Sequence, residues 1–291
     1  MLVERRKVLT MLYEGKITVD GAEELLDALE ETPEPMPELK VEIIGESPKL
    51  QQALSIMDKA AKATSPALII GEHGTGKEIA ARYIHQKSVR RDRPFIAVNC
   101  AATPEILIES ELFGHERGAF TGAVTAKRGL IESAYGGTLF LDEITALPIE
   151  SGRKLQKVLT DGEMYRVGGT RTIPVDVRVI AATNKNLGVE ANENRFDRDL
   201  FYSLSVITVT MPTLRERKED IPILAEYFLK SSAAKNNRAV PTISDEALNI
   251  LKDYSWPVNV RELANVIERA LVFCEDDIIL PEHIILPAKV L

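Results

Sequence analysis

The eight residues GEHGTGKE, Gly71 to Glu78, follow the apolar run PALII and lead into a helical pattern over Glu78 to Lys87. Two glycines five positions apart, then a lysine, set between a strand and a helix, fit the spacing of a phosphate-binding loop. Glycines allow backbone N–H groups to turn inward around phosphates. The helix N-terminus adds positive potential, and a lysine at position 77 reaches the β- and γ-phosphates. The residues expected to hold a nucleotide are therefore Gly71, Glu72, His73, Gly74, Thr75, Gly76, Lys77 and Glu78. Glu78 stands where the usual pattern has the Ser or Thr that holds magnesium. A loop of this kind needs a parallel sheet behind it.

The rest of the chain supplies one. FIAVNC, GGTLFLDE and VRVIAATN are further apolar runs rich in β-branched residues, with helical patterns such as Ser151 to Asp161 between them. This βα alternation predicts an α/β fold, a parallel sheet covered by helices on both faces. After about Pro212 the strands are expected to stop. Asp220 to Lys230, Asp245 to Tyr254 and Asn259 to Cys274 read as helices of a small all-α subdomain. The expected organisation is a nucleotide-binding subdomain over residues 41–213 and a helical lid over 214–291. Upstream, Met1 to Glu14 reads as a charged helix. Thr18 can cap a second helix striped by Ala22, Leu25, Leu26 and Leu29, making residues 1–31 a helical hairpin. Pro33, Pro35 and Pro37 make residues 32–40 a stiff linker.

Several polar residues fall at strand ends, where open α/β sheets bind ligands. Asp142, closing GGTLFLDE, is placed to hold Mg2+ directly or through water, and Glu143 to polarise an attacking water. Thr183 and Asn184 close VRVIAATN and suit sensing of a γ-phosphate. Asn259 with Glu262 reads as a capping box, which puts Arg261 in the first turn of a helix against the helix dipole. A cation held there at a small cost suits anion binding. The formal charge of −8 argues against a broad basic surface for nucleic acid. Cys100 and Cys274 read as buried small residues of a reducing compartment, and no run approaches transmembrane length, so a cytoplasmic protein is expected. One stretch, GAFTGA at Gly118 to Ala123, fits neither helix nor strand. It is either a turn that tucks Phe120 into a core or an exposed functional loop.

Taken together, GEHGTGKE, ESELFGHERGAFTGA, GGTLFLDEI, RVIAATN, MPTLRERKEDIP and WPVNVREL resemble the AAA+ ATPase domain of bacterial enhancer-binding proteins, the activators of sigma-54 RNA polymerase. The likeness runs from about Val41 to Pro287. It implies ATP and Mg2+ as cofactors, self-association into a ring of six or seven subunits, and sigma-54 and RNA polymerase as partners. It implies that Gly118, Ala119, Phe120, Thr121, Gly122 and Ala123 form the tip of a mobile loop that touches sigma-54, with Phe120 and Thr121 as the contact pair. It makes Glu78 an ordinary choice, and it casts Asn99 as the residue that restrains the catalytic Glu143. The phrase EGKITVDGAEELLDAL resembles SHOCT-like helical hairpins, whose role is association.

Three departures accompany the resemblance. The family's arginine fingers lie in a phrase like FRxDLxxRL, whereas here FDRDLFYSL puts Asp197 and Ser203 at the matched positions, with Arg195 and Arg198 nearby as the available cations. Gly152 is expected to interrupt its helix and loosen the second pore loop. No helix-turn-helix follows the lid before Leu291, so no DNA-binding domain is expected within this chain. Two readings follow. One is an ATP-driven activator of sigma-54 polymerase that remodels the closed promoter complex. The other is a hydrolysis-deficient, nucleotide-gated subunit that binds sigma-54 or co-assembles with an intact paralogue.

Overall fold

The computed structural model of this chain describes residues 42–287, so the expected hairpin at 1–31 and linker at 32–40 lie outside the described residues. Helix α1 (Pro48–Lys62) leads to β1 (Ala67–Ile70), the glycine-rich loop and α2 (Lys77–Gln86). Strand β2 (Phe95–Asn99) and α3 (Glu105–Phe113) precede a ribbon based on the antiparallel pair β3 (Gly114–His115) and β4 (Lys127–Arg128). Next come α4 (Leu130–Ser133), β5 (Thr138–Asp142), α5 (Ile149–Asp161) and a second antiparallel pair, β6 (Glu163–Met164) with β7 (Ile173–Pro174). Then follow β8 (Arg178–Thr183), α6 (Leu187–Asn192), α7 (Arg198–Leu204) and β9 (Ile207–Thr210). The remainder holds α8 (Asp220–Lys235), β10 (Thr242–Ile243), α9 (Asp245–Asp253), α10 (Asn259–Phe273) and β11 (Ile278–Ile279).

Five strands form one parallel sheet in the order β2-β5-β8-β1-β9. Side chains alternate across it, and both faces are apolar. Leu68, Leu139, Leu141, Val179 and Ala181 pack on one side with Ile108 and Leu112 of α3, Leu155 of α5 and Leu200 of α7. Ala67, Ile69, Phe140, Ile180 and Val209 pack on the other with Met57 and Ala60 of α1 and Ala80 and Ile84 of α2. The register sets Asn99 opposite Asp142 and Ile70 opposite Thr183, which gathers the polar strand ends along one edge.

A third core lies among α8, α9 and α10 around Trp256, which is fully buried and donates its indole N–H to Leu251 O at 2.8 Å. Burying an indole of roughly 150–250 Å² contributes about 4–6 kcal/mol at most. Asp220, at the start of α8 and without exposed surface, ties this subdomain to the segment before α1. It accepts from Glu46 N at 2.7 Å, Ser47 N at 2.9 Å and Ser47 Oγ at 2.6 Å.

Two expectations are corrected. Strands do not stop at Pro212, because β10 and β11 pair within the helical part, and β9 before them completes the sheet. Gly152 does not interrupt its helix. Helix α5 runs through it, and an added Cβ there would lie 3.3 Å from Leu200 Cδ2. The glycine is small because α5 and α7 approach closely at that point.

Candidate active site

Between β1 and α2 the chain turns through Gly74 at φ +76° and Gly76 at φ +94°, values that L side chains rarely adopt. A side chain at Gly74 would also place its Cβ 2.0 Å from Val258 O. The loop is anchored to the sheet by Gly71 N donating to Thr183 O at 3.1 Å. Lys77, buried at the start of α2, donates to Gly71 O at 3.1 Å and stands 3.4 Å from Glu143 Oε1. Its ammonium thus faces the open edge of the sheet.

The loop borders a cleft of ≈ 470 Å³ lined in part by His73, Lys77, Asn99, Asp142, Glu143 and Arg261. An adjoining apolar pocket of ≈ 240 Å³ is formed by Ile43, Ile44, Ile79, Met211, Tyr227 and Phe228. Gly76, Ile79, Phe228 and Val260 line both, so a charged group and a flat apolar group on one ligand could occupy them together.

Asp142 accepts from Glu143 N at 3.0 Å through Oδ1, and its Oδ2 has no hydrogen-bond partner among the described residues. Burial pushes its carboxyl above the usual range, the Lys77 ammonium works against that rise, and the Glu143 charge adds to it. Among the described residues no cluster of three or more His, Cys, Asp or Glu could cage a metal. One free carboxylate oxygen beside a phosphate loop instead fits Mg2+, which keeps waters and shares its coordination with substrate phosphates. Glu143 sits at φ +51°, a left-handed turn directly after β5 that lifts its carboxylate toward Lys77 and His73.

The other expected residues divide. Asn184 reaches the site, donating through Nδ2 to His73 Nε2 at 2.6 Å. Thr183 does not, since it is fully buried and accepts from Lys185 N at 3.0 Å, closing its own turn. Asn99 lines the cleft, but its side-chain Oδ1 accepts from Ala101 N at 2.9 Å and Ala102 N at 3.0 Å, and its amide makes no hydrogen bond to Glu143. Glu78 pairs with Arg82 one turn on, at 2.8 Å. Arg261 lines the cleft and makes no ion pair among the described residues.

Asn259 and Glu262 are not a capping box. Glu262 Oε2 accepts instead from Val258 N at 2.9 Å. Asn259, fully buried at φ +54°, joins the lid to the phosphate loop. It donates to His73 O at 2.9 Å and Glu72 Oε2 at 3.2 Å, and accepts from Leu214 N at 2.8 Å. Glu72 also takes Arg215 Nη1 at 2.8 Å, and that guanidinium holds its carboxyl below the usual carboxylate range. The sequence hid this latch because its partners lie far apart in the chain.

Arg195 and Arg198 do not line the cleft of their own chain. Arg195 is clasped by Glu190 at 2.8 Å and also pairs with Glu193. Arg198 donates Nε to Ala191 O at 3.4 Å. Asp197 caps α7 by accepting from Leu200 N at 2.9 Å, with Arg153 Nε 3.7 Å away, and Ser203 donates within its helix to Asp199 O.

The GAFTGA stretch is a loop closed by Gly118 N donating to Ala123 O at 2.8 Å. Gly118 (φ +83°) and Gly122 (φ +105°) turn it, and Thr121 is exposed. Phe120 is 41% exposed, its ring set edgewise on His115 with centroids 5.0 Å apart. Phe120 is therefore not tucked into the core. Below the tip, Glu116 N donates to Val167 O at 3.0 Å, and Arg166 pairs with both Glu116 and Glu132.

Residues 43–210 match the family model of the sigma-54 interaction domain, residues 215–290 that of the AAA+ ATPase lid domain, and residues 3–34 that of a SHOCT-like domain. The DNA-binding transcriptional activator HyfR of Escherichia coli is 54% identical over 231 residues, covering 79% of this chain and 34% of that protein. The regulatory protein AtoC of E. coli is 49% identical over 242 residues, covering 83% and 52%. The chain thus spans roughly a third to a half of the length of these curated relatives. The crystal structure of NtrX from Brucella abortus in complex with ATP superimposes with a TM-score of 0.80 at 36% identity, over 92% of this chain and 61% of that one. A parallel sheet edge with its phosphate loop, carboxylate pair and GAFTGA loop, followed by a matching lid, settles the assignment: the chain belongs to the sigma-54 interaction domain family of AAA+ proteins.

Proposed function

We propose that this chain binds ATP with Mg2+, hydrolyses it, and uses the cycle to move the loop Gly118–Ala123 against sigma-54 of RNA polymerase, remodelling the closed promoter complex. The observation that carries the reading is the convergence of Lys77, Asp142, Glu143 and Arg261 on one cleft at the sheet edge, with Asn184 bonded to His73 of its lining, in a chain that also presents an exposed GAFTGA tip. The phosphates lie along the Gly71–Gly76 loop with Lys77 on the β- and γ-phosphates and Arg261 beside them, and the base enters the apolar pocket by Ile43, Ile44 and Tyr227. Bound Mg2+, held by Asp142, supplies charge neutralisation of the phosphates. Glu143 orients and polarises the attacking water, and Asn184 reads the γ-phosphate.

Subunits associate into a ring of six or seven in the cytoplasm. Arg198 and Arg195 are the cations offered to a neighbour's site. Arg198 is the better donor, since two carboxylates already neutralise Arg195.

ATP turnover per subunit, measured against protein concentration, tests this, with Glu143→Ala as blank. A rate that rises with association and vanishes in Lys77→Ala is expected. Thr121→Ala should keep turnover and lose sigma-54 contact in the transition-state-like complex. Tight ATP binding with no turnover at any concentration would refute hydrolysis by this chain alone, and normal sigma-54 contact by Thr121→Ala would refute the loop assignment.

A further inference from the structure

His73 occupies the third position of the phosphate loop, yet its side chain does not join the loop. The ring is 59% exposed and spans the cleft mouth, with Nε2 at 2.6 Å from Asn184 Nδ2 and Nδ1 at 3.5 Å from Glu143 Oε1. Its backbone carbonyl is pinned by Asn259, so the ring projects from a fixed point. One imidazole thereby joins three strand ends: the loop after β1, Glu143 after β5 and Asn184 after β8.

The donor inventory determines the ring's state. The Asn184 amide nitrogen only donates, so Nε2 must accept. The proton of the neutral ring then sits on Nδ1, the atom that faces Glu143. The charged group beside that carboxylate is Lys77, 3.4 Å from the same oxygen. A triphosphate on the loop draws Lys77 to its own oxygens, and Asn99, held through Oδ1 by Ala101 N and Ala102 N, makes no hydrogen bond to Glu143. The ring is the neutral group already standing beside the Glu143 carboxylate, 3.5 Å from Oε1.

We infer that His73 is a positioning residue for Glu143: it fixes the carboxylate through Nδ1–H and ties it through Nε2 to Asn184, so that contact of Asn184 with a γ-phosphate is passed to the general base. This rests on the proposed ATPase reading and adds to it a connection between sensing and catalysis. The ring itself touches no reacting atom.

Steady-state turnover by His73→Ala and His73→Gln in the full chain tests it. His73→Ala should lower kcat about 10-fold with KM for ATP changed less than about 2-fold, the signature of lost orientation and not of lost ground-state binding. His73→Gln, whose amide offers one acceptor and one donor, should restore kcat to within about 3-fold of the parent. An unchanged kcat in His73→Ala, or a rise in KM alone, overturns the inference. A readout independent of turnover separates its failure from that of the ATPase reading. With 4 histidines in the chain, the imidazole 15N spectrum of the nucleotide-free protein is assignable using His73→Gln. His73 should carry its proton on Nδ1, and Asn184→Ala should abolish that preference. A proton on Nε2 in the parent overturns the inference whether or not the chain hydrolyses ATP.

Discussion

Asn259 stands where the lid meets the phosphate loop, and truncating it to alanine removes three hydrogen bonds and leaves the backbone at φ +54°. The Leu214 N–H, in a fully buried residue, loses its acceptor, at a cost of about 1–3 kcal/mol. The His73 carbonyl lies beside the open cleft and takes a water in place of the amide, so its loss is about 0.5–1 kcal/mol. Glu72 keeps Arg215, and its third bond adds little. Alanine in the left-handed region costs about 1 kcal/mol more than asparagine, which tolerates it. The sum, about 3–5 kcal/mol, is a large share of the roughly 5–15 kcal/mol that stabilises a domain.

Asn259→Gly isolates the backbone contribution, since glycine adopts positive φ freely. It should recover about 1 kcal/mol of the loss. Equilibrium urea unfolding of the parent, Asn259→Ala and Asn259→Gly without nucleotide measures both quantities, with the slope unchanged if only stability moved. A loss under about 1 kcal/mol in Asn259→Ala would show that Leu214 and His73 are satisfied by water and that the latch is incidental. A glycine variant no better than alanine would refute the strain argument.

Gly152→Ala should raise stability by about 0.5 kcal/mol, because gained helix propensity outweighs a 3.3 Å contact with the flexible end of Leu200; thermal unfolding checks it, and a loss would mean that α5 and α7 cannot yield. Glu216 bridges Lys49 at 2.8 Å and Thr213 N at 3.0 Å, and the Lys49 ammonium, with the Thr213 hydroxyl and N–H, lowers its pKa from 4.5 to about 2. A depressed carboxylate stabilises the fold above its unfolded value and loses that contribution as pH falls, here between 4.5 and about 2. Glu216→Gln should therefore flatten the acid limb of a Tm-against-pH curve. The effect stays under about 1 kcal/mol because the pair is solvated, and an unchanged limb would refute the assignment.

The α/β class, the phosphate loop and the Asp142–Glu143 pair were legible because each combines a short-range pattern with its own strand. What escaped depends on distant partners. Asn259 looks like a helix cap until Glu72, His73 and Leu214 are brought to it across the fold. Gly152 looks like a breaker until α7 packs on it. The two-residue strands β3, β4, β6 and β7 are shorter than any alternation that could announce them. Thr183 and Asn184 are adjacent and equally polar, and only the end of β8 between them decides that the first is buried and the second turns to His73. His73 carried a faint signal, a titratable ring in a loop that needs only backbone there.

The order of strands in the sheet also governs when this protein becomes usable during its synthesis. β1 pairs with β8 and β9, which leave the ribosome well after it. The Ile70–Gly71 peptide, where the phosphate loop begins, donates to Thr183 O and accepts from Met211 N, so the loop's entry has no frame until both have been translated. Such non-local pairing folds slowly. A nascent chain must carry apolar β1 without these partners until they emerge, and ATP cannot serve as a folding template before then.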